Sequence, residues 1–245
     1  MELKLGLILF VLGFLGVLTL LTGTIIPLPD EFAELSPIAV KGLTLVTPTI
    51  MLLVAVLVGT ILHDKVNLTV PVISSFLKRE SVRLATIQAL KFGIPLGLLT
   101  GIVIVVIALV FNAIIPLEFE VLESGFQPTL LMRFGYGGIT EELLLRFGVM
   151  TFIVWAISRL AKKLNNPIYW TGVIVSALLF AVGHFPVFFA SVPAPSFTLL
   201  TYVLIGNSVG GLVFGWLYWK KGLESACIAH MFAHVAMVLG GLLQS

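Results

Sequence analysis

The sequence predicts an all-α membrane protein, a polytopic bundle of about seven transmembrane helices plus one interfacial amphipathic helix. Hydrophobic residues make up 59% of the 245 residues and charged residues only 11%, whereas about 25% of a soluble domain is charged. The mean hydropathy is +1.14. Apolar runs of about 20 to 30 residues suit helices that cross about 30 Å of hydrocarbon, and they are too long for the strands of a β-barrel.

Each predicted span is long enough to cross the bilayer as a helix. The spans cover residues 5–28, 37–62, 92–115, 129–158, 167–190, 197–219 and 223–242. Because no repeat or low-complexity linker separates them, we expect one membrane domain over 1–245. Within it, 1–128 would hold the accessory spans and the interfacial helix, and 129–245 the part that carries the motifs.

The long connection between the second and third spans has an amphipathic pattern. Polar and apolar residues alternate there at helical spacing, which predicts a helix on the membrane surface with its basic face in water. The polar set is Ser74, Ser75, Lys78, Arg79 and Arg83, and the apolar set is Ile73, Phe76, Leu77, Leu84 and Ile87.

Basic residues are distributed unequally between the two sides of the predicted bundle. One side carries Lys4, Lys65, Lys78, Arg79, Arg83, Lys91, Arg159, Lys162, Lys163, Lys220 and Lys221. The other carries Asp30, Glu31, Glu34, Glu118, Glu120 and Glu123, with only Lys41 and Arg133 nearby. Short basic connections stay in the cytoplasm. We therefore expect a protein of the cell membrane with a cytoplasmic N-terminus and an external C-terminus.

Charge and cysteine content exclude some classes of function. The formal net charge is +2, and no basic patch is interleaved with aromatic residues, so nucleic-acid binding is not expected and the lipid bilayer is the implied partner. The single cysteine, Cys227, cannot form an internal disulfide. Its apolar surroundings favour a small core residue over a reactive thiolate.

Six ionisable side chains lie inside the predicted spans, namely Glu141, Glu142, Arg146, His184, His230 and His234. A charge at the bilayer centre costs about 2.5 to 3.5 kcal/mol even on the lower scales. Such groups persist mainly where they pair, line a wet cavity or do chemistry. The sequence therefore predicts a reaction centre in the membrane.

Helical spacing gives the two adjacent glutamates different surroundings. Arg146 follows Glu142 by one turn and is within reach of it, while Glu141 points about 100° away. A carboxylate paired with a guanidinium stays ionised, and one that faces a poorly hydrated pocket can act as a general base near neutral pH. A buried structural ion pair is the alternative interpretation.

The histidines suggest two kinds of chemistry. At about 1.5 Å per residue, Glu141 and His184 both lie about 26 Å from the inner ends of their spans, so they could hold and deprotonate a water together. His184 alone would equally suit a hydrogen bond between helices. His230 and His234 share one face of the last span and could donate to an oxyanion. Their depths, about 11 and 17 Å, differ from that of Glu141 by about two turns.

The same histidine spacing also suits zinc, with His230 and His234 joined by His184 or Glu141 as the third ligand. Against zinc, Met231 occupies the place of the glutamate that follows the first histidine in zinc-protease helices. In the sixth span, Gly206, Gly210, Gly211 and Gly215 predict close helix packing. Asn207 among them is a candidate substrate contact.

The ordered set Glu141-Glu142-xxx-Arg146, Phe180-xxx-His184 and His230-xxx-His234 on separate hydrophobic spans resembles the signature of the CPBP family. The stretch 215–230 also resembles the family's approach to its last motif. That family groups type II CAAX prenyl endopeptidases with proteins linked to bacteriocin immunity. The resemblance covers about 129–240, and it differs at His234, where the family has Asn or Asp.

The resemblance implies a glutamate-dependent intramembrane protease without a metal cofactor, acting on a membrane-associated peptide or protein, of which a prenylated CAAX-type substrate is one kind. Glu141 and His184 would position the attacking water, His230 and His234 would form the oxyanion site, and Glu142 with Arg146 would support them. Two alternatives stay open: a zinc-dependent protease using His184, His230 and His234, and a non-catalytic binding, immunity or transport protein.

Overall fold

The computed structural model describes residues 2–23, 36–125 and 127–242, and these residues form helices and connections without a strand. Seven helical stretches are long and apolar enough to cross a membrane, which confirms the predicted helical bundle. They are Glu2–Thr22, Ile38–Leu62, Arg83–Ile114, Met132–Ala161, Asn166–Ser191, Phe197–Lys221 and Leu223–Leu242. Part of the first predicted span, 24–28, lies outside the described residues, as do Asp30, Glu31 and Glu34.

The helices follow one another with short connections. Ser36, Asn165 and Ser196 each precede a long helix and accept a hydrogen bond from the backbone N–H three residues on, which is how these residue types begin helices. In chain order the helices are α1 (Glu2–Leu18), α2 (Pro37–Leu62), α3 (Pro71–Leu77), α4 (Arg83–Ile114), α5 (Pro116–Gly125), π1 (Met132–Glu141), π2 (Leu143–Met150), α6 (Thr151–Ala161), α7 (Asn166–Gly183), α8 (Phe185–Ser191), α9 (Phe197–Lys221) and α10 (Leu223–Leu242).

The amphipathic connection is divided between two helices. The short α3 ends at Leu77, the chain turns through Arg79 at φ 59°, and α4 begins at Arg83. Leu84 and Ile87 therefore belong to the third span, which starts well before the predicted residue 92. A left-handed residue cannot continue a right-handed helix, so the turn ends the amphipathic helix early.

The fourth span departs from α-helical geometry. Residues Met132–Glu141 and Leu143–Met150 form π-helices, whose i→i+5 bonds put more residues in each turn than an α-helix has. The span consequently advances less per residue than the 1.5 Å used for the depth of Glu141. This shortening removes part of the predicted mismatch in depth between Glu141 and the histidines of α10.

Glycines permit close contacts between helices, for example between α4 and α10 and between α9 and α7. On α4, a Cβ at Gly97 would overlap the carbonyl oxygen of Ala229, and one at Gly101 would overlap that of Ala233. Both partners are on α10. On α9, a Cβ at Gly211 would lie 2.6 Å from the Cβ of Ala177 on α7. The close packing predicted for the sixth span holds at Gly211, while the contact with α4 was not anticipated.

We expect Gly97→Ala to destabilise the protein by about 1–3 kcal/mol, because the added methyl group forces α4 away from α10. Gly42→Ala is the matched control, since nothing lies within 4 Å of a Cβ built there. Chemical denaturation in detergent micelles measures both. Equal stability of the two variants would show that α4 and α10 do not pack through this surface.

Candidate active site

A cavity of about 450 Å³ brings together the predicted site residues Glu141, His184, Asn207, His230 and His234. They come from π1, α7, α9 and α10, but the wall is not limited to the motif-bearing half of the chain. Its other lining residues include Leu20, Lys41, Thr44 and Ile104 from the first three spans.

Glu142 and Arg146 lie just behind the cavity and are fully buried. Nε of Arg146 lies 3.2 Å from Oε2 of Glu142, and Nδ1–H of His230 donates to Oε1 of the same carboxylate over 2.8 Å. The carboxylate therefore joins a cation from its own span to an imidazole on α10. This ion pair is the one that the sequence spacing predicts.

Aromatic rings surround the Arg146 guanidinium. Its carbon lies 4.7 Å from the ring centre of Phe180 and 5.6 Å from that of Phe214. Within the described part of the chain, Nη1 and Nη2 have no hydrogen-bond partner. Cation–π attraction at this fully buried position therefore supplements the pairing with Glu142.

Glu141 has different surroundings from Glu142. Its side chain is 16% exposed and lines the cavity, and its Oε2 lies 3.8 Å from Nε2 of His230. That distance is too long for a direct hydrogen bond. The two adjacent carboxylates thus differ as the spacing predicts, one paired in the core and the other facing open space.

His184 lines the same cavity without touching Glu141, since no ring nitrogen of His184 lies within 4.0 Å of that carboxylate. Nδ1–H of His184 donates to the carbonyl oxygen of Phe180 over 2.8 Å. A carbonyl only accepts, so this bond places the proton on Nδ1 and turns the lone pair of a neutral ring to Nε2. The histidine nearest to Glu141 is His230.

His234 stacks on His230 with ring centres 5.0 Å apart. A Cβ at Gly137 of π1 would lie 2.8 Å from Nε2 of His234, so only glycine lets π1 approach the ring so closely. Nδ1 of His234 is buried and has no hydrogen-bond partner among the described residues. Asn207, the candidate substrate contact, donates from Nδ2 to the carbonyl of Val203 over 2.9 Å.

The segment 123–236 matches a family model described as type II CAAX prenyl endopeptidase Rce1-like. The match contains all the motifs that form the cavity wall and confirms the resemblance. Residues 123–236 are thus similar to the Rce1-like family. Comparison with curated proteins gave no match, and comparison with solved structures gave none either. The protein is therefore an integral membrane protein with a segment that is similar to a protease family.

The zinc alternative does not fit the side chains of the cavity as they are arranged. In the described ranges, one group of three metal-ligating residues has its donor atoms within 4.8 Å of one another, and it consists of Glu2, His63 and Asp64 rather than His184, His230 and His234. Nδ1 of His230 bonds to Glu142 and that of His184 to the Phe180 carbonyl, so neither bond occupies Nε2. Because the donor atoms of His184, His230 and His234 do not all lie within 4.8 Å of one another, no step of the chemistry is assigned to a metal.

His63, the fourth histidine, was not singled out in the sequence. It is buried at the end of α2, where Nδ1–H donates to the carbonyl of Leu68 over 3.0 Å and Nε2 lies 3.1 Å from Oε2 of Glu2. It lines a separate pocket with Thr69, Ser74 and Lys78. The sequence feature that could have indicated His63 was its position at the boundary of a span, next to Asp64.

We expect Arg146→Ala to destabilise the protein by about 3–5 kcal/mol, because it leaves the buried Glu142 carboxylate without its cation. Arg159→Ala, at an exposed position in the same span, is the control. Adding Glu142→Gln to Arg146→Ala should restore part of the loss, as measured by denaturation in micelles. Unchanged stability of Arg146→Ala would contradict the ion pair.

Proposed function

We propose that the protein is an intramembrane endopeptidase in which Glu141 activates a water that attacks a peptide bond. The observation that carries this proposal is the pair of unlike carboxylates, with Glu142 fixed by Arg146 and Glu141 facing a cavity that also holds three histidines. A half-buried carboxylate that has no cation beside it is suited to accept a proton. The substrate would be membrane-associated, and the family makes a prenylated CAAX-type peptide the first to test.

The chemistry needs one proton acceptor, one oxyanion donor and one proton donor. Glu141 would take a proton from water as the water oxygen bonds to the carbonyl carbon. The carbonyl oxygen then carries negative charge, which a neighbouring N–H stabilises. When the tetrahedral intermediate collapses, the C–N bond breaks and the leaving amine receives the proton. The water supplies both new groups, so no other reactant is required.

Tautomers support different roles for the histidines from those implied by the family resemblance. With Nδ1–H donating to Glu142, a neutral His230 has its lone pair on Nε2, which faces Glu141. We infer that His230 accepts at Nε2 the proton that Glu141 took from the water and passes it to the leaving amine, with Glu142 stabilising the imidazolium. His184, also protonated at Nδ1, would orient the water through its Nε2 lone pair.

His234 is then the candidate donor to the oxyanion. Its Nδ1 is buried without a described partner, and an orphaned acceptor is more common in proteins than an orphaned N–H. The proton is therefore assigned to Nε2. This N–H could donate a hydrogen bond to the oxyanion, as the side-chain amide of Asn would at this position in the family pattern. Catalysis would thus divide between two acceptor histidines and one donor histidine on the walls of one cavity.

Glu141→Gln should lower kcat by about 100- to 10,000-fold, because an amide cannot accept the proton of water. The change preserves shape, so we expect unfolding to be unaffected. Cleavage of a fluorogenic prenylated peptide in reconstituted vesicles measures the rate, with Glu120→Gln on the exposed α5 as the control. Normal turnover by Glu141→Gln would contradict the proposed mechanism.

His230→Gln distinguishes proton transfer from oxyanion binding. Glutamine keeps an N–H donor but cannot carry a proton, so it should fail as badly as His230→Ala, with kcat down about 100-fold in both. Substantial activity of the glutamine variant alone would assign His230 to the oxyanion instead. Selective ¹⁵N-histidine labelling reports the tautomers independently of turnover, since the chain has only 4 histidines.

A further inference from the structure

Glu2, His63 and Asp64 form a cluster that is remote from the candidate active site. The cavity is lined by Lys41 and Thr44 at the start of α2, whereas His63 follows the last residue of that helix. One donor atom from each residue of the cluster lies within 4.8 Å of the other two. The segment that matches the family model, 123–236, does not include the cluster. A role for it must therefore come from its own geometry.

Hydrogen bonds fix the tautomer of His63. Its Nδ1 lies 3.0 Å from the carbonyl oxygen of Leu68 and 3.3 Å from Oδ1 of Asp64. A carbonyl and an ionised carboxylate only accept, so a neutral ring has its proton on Nδ1 and its lone pair on Nε2. A bond from one ring N–H to a carbonyl or carboxylate is also what orients most histidines that bind metals through the other nitrogen.

The Nε2 lone pair of His63 faces a second acceptor. Oε2 of Glu2 lies 3.1 Å away, and an ionised carboxylate has no hydrogen to donate. The two atoms repel each other unless a positive charge lies between them, either a proton or a metal ion. Two metal–ligand bonds of about 2.0–2.1 Å, at angles from a right angle to the tetrahedral angle, hold the two ligand atoms about 2.8–3.4 Å apart. The spacing of Nε2 and Oε2 therefore suits a shared metal ion.

An ion can reach this pair from water. The side chain of His63 is 4% exposed, whereas those of Glu2 and Asp64 are 44% and 68% exposed. All three line a pocket of about 300 Å³, to which Ser74 and Lys78 also contribute. Within the described ranges, Lys78 forms no ion pair with Glu2 or Asp64, so both carboxylates remain available to another cation. Three protein ligands would leave the further coordination positions to water.

We propose that Glu2, His63 and Asp64 bind a divalent transition-metal ion, with Zn²⁺ as the first ion to test. One imidazole with two carboxylates suits such ions, whereas Mg²⁺ and Ca²⁺ prefer oxygen ligands alone. The ion joins the start of α1 to the residues that follow α2. The His63 ring also packs on Phe147 of π2, with ring centres 5.5 Å apart. The site therefore stabilises the contact of the first two spans with the fourth.

Glu2→Gln tests the site while keeping the shape of the side chain. Its amide N–H can donate to the Nε2 lone pair, so the metal-free variant should be at least as stable as the metal-free unaltered protein. Tag-free protein in micelles is stripped with a chelator, freed of it and heated with Zn²⁺. At 100 times the dissociation constant, Zn²⁺ should raise Tm by about 5–10 °C in the unaltered protein and by less than about 1 °C in Glu2→Gln. Glu80→Gln, at an exposed position, is the matched control and should respond like the unaltered protein.

Calorimetry and NMR locate the ion. Isothermal titration should give one Zn²⁺ per chain, with a dissociation constant at least tenfold higher in His63→Gln and in Asp64→Asn. His184→Gln is the matched control, because it removes a histidine of the cavity and should leave the affinity unchanged. Mg²⁺ should not bind. With ¹⁵N-labelled histidine, Zn²⁺ should shift the Nε2 resonance of His63 and of no other histidine.

Equal thermal shifts in the unaltered protein and Glu2→Gln would overturn the proposal. Unchanged affinity in His63→Gln or Asp64→Asn would contradict the assigned ligands. If Zn²⁺ does not bind at all, only a proton lies between Nε2 and Oε2, which would also overturn the metal site. None of these measurements requires turnover, so their outcome is independent of the proposed function.

Discussion

The candidate site depends on one buried ion pair. Glu142 holds Arg146 on one side and His230 on the other, and it does so where both charges have no exposed surface. Burial makes an unpaired charge costly, so each member restricts where the others can lie. The pair thereby fixes the fourth span relative to α10 and sets which nitrogen of His230 faces the cavity. Glu141, one residue earlier, faces the cavity instead.

Backbone geometry lets those side chains meet. The π-helical fourth span and the glycines at its contacts bring its backbone against α10, where Gly137 leaves room for the His234 ring. Behind α10, Gly97 and Gly101 admit α4 to van der Waals distance. In lipid, close packing replaces much of the hydrophobic driving force between helices. The same glycines that stabilise the bundle therefore also position the two histidines of α10.

Much of this arrangement could be predicted from the sequence, and the rest depends on contacts that spacing does not encode. Hydropathy is sufficient to predict the seven spans, and i,i+4 spacing is sufficient to predict the pairing of Glu142 with Arg146. Pairing Glu141 with His184 rested on a uniform rise per residue, which the π-helices violate, so His230 is the nearer partner. The turn at Arg79 and the α4–α10 contact were not predicted, because no hydropathy pattern indicates them.

The wide turns of the fourth span make it sensitive to changes in length. Each i→i+5 turn accommodates one residue more than an α-helical turn, so deleting a residue within Met132–Glu141 would let the span tighten without shortening its ladder of hydrogen bonds. The backbone would absorb the loss, but the relative rotation of residues before and after the deletion would change. The insertion or deletion of one residue here would thus change which side chains of the span face the cavity, although the span would still form a helix.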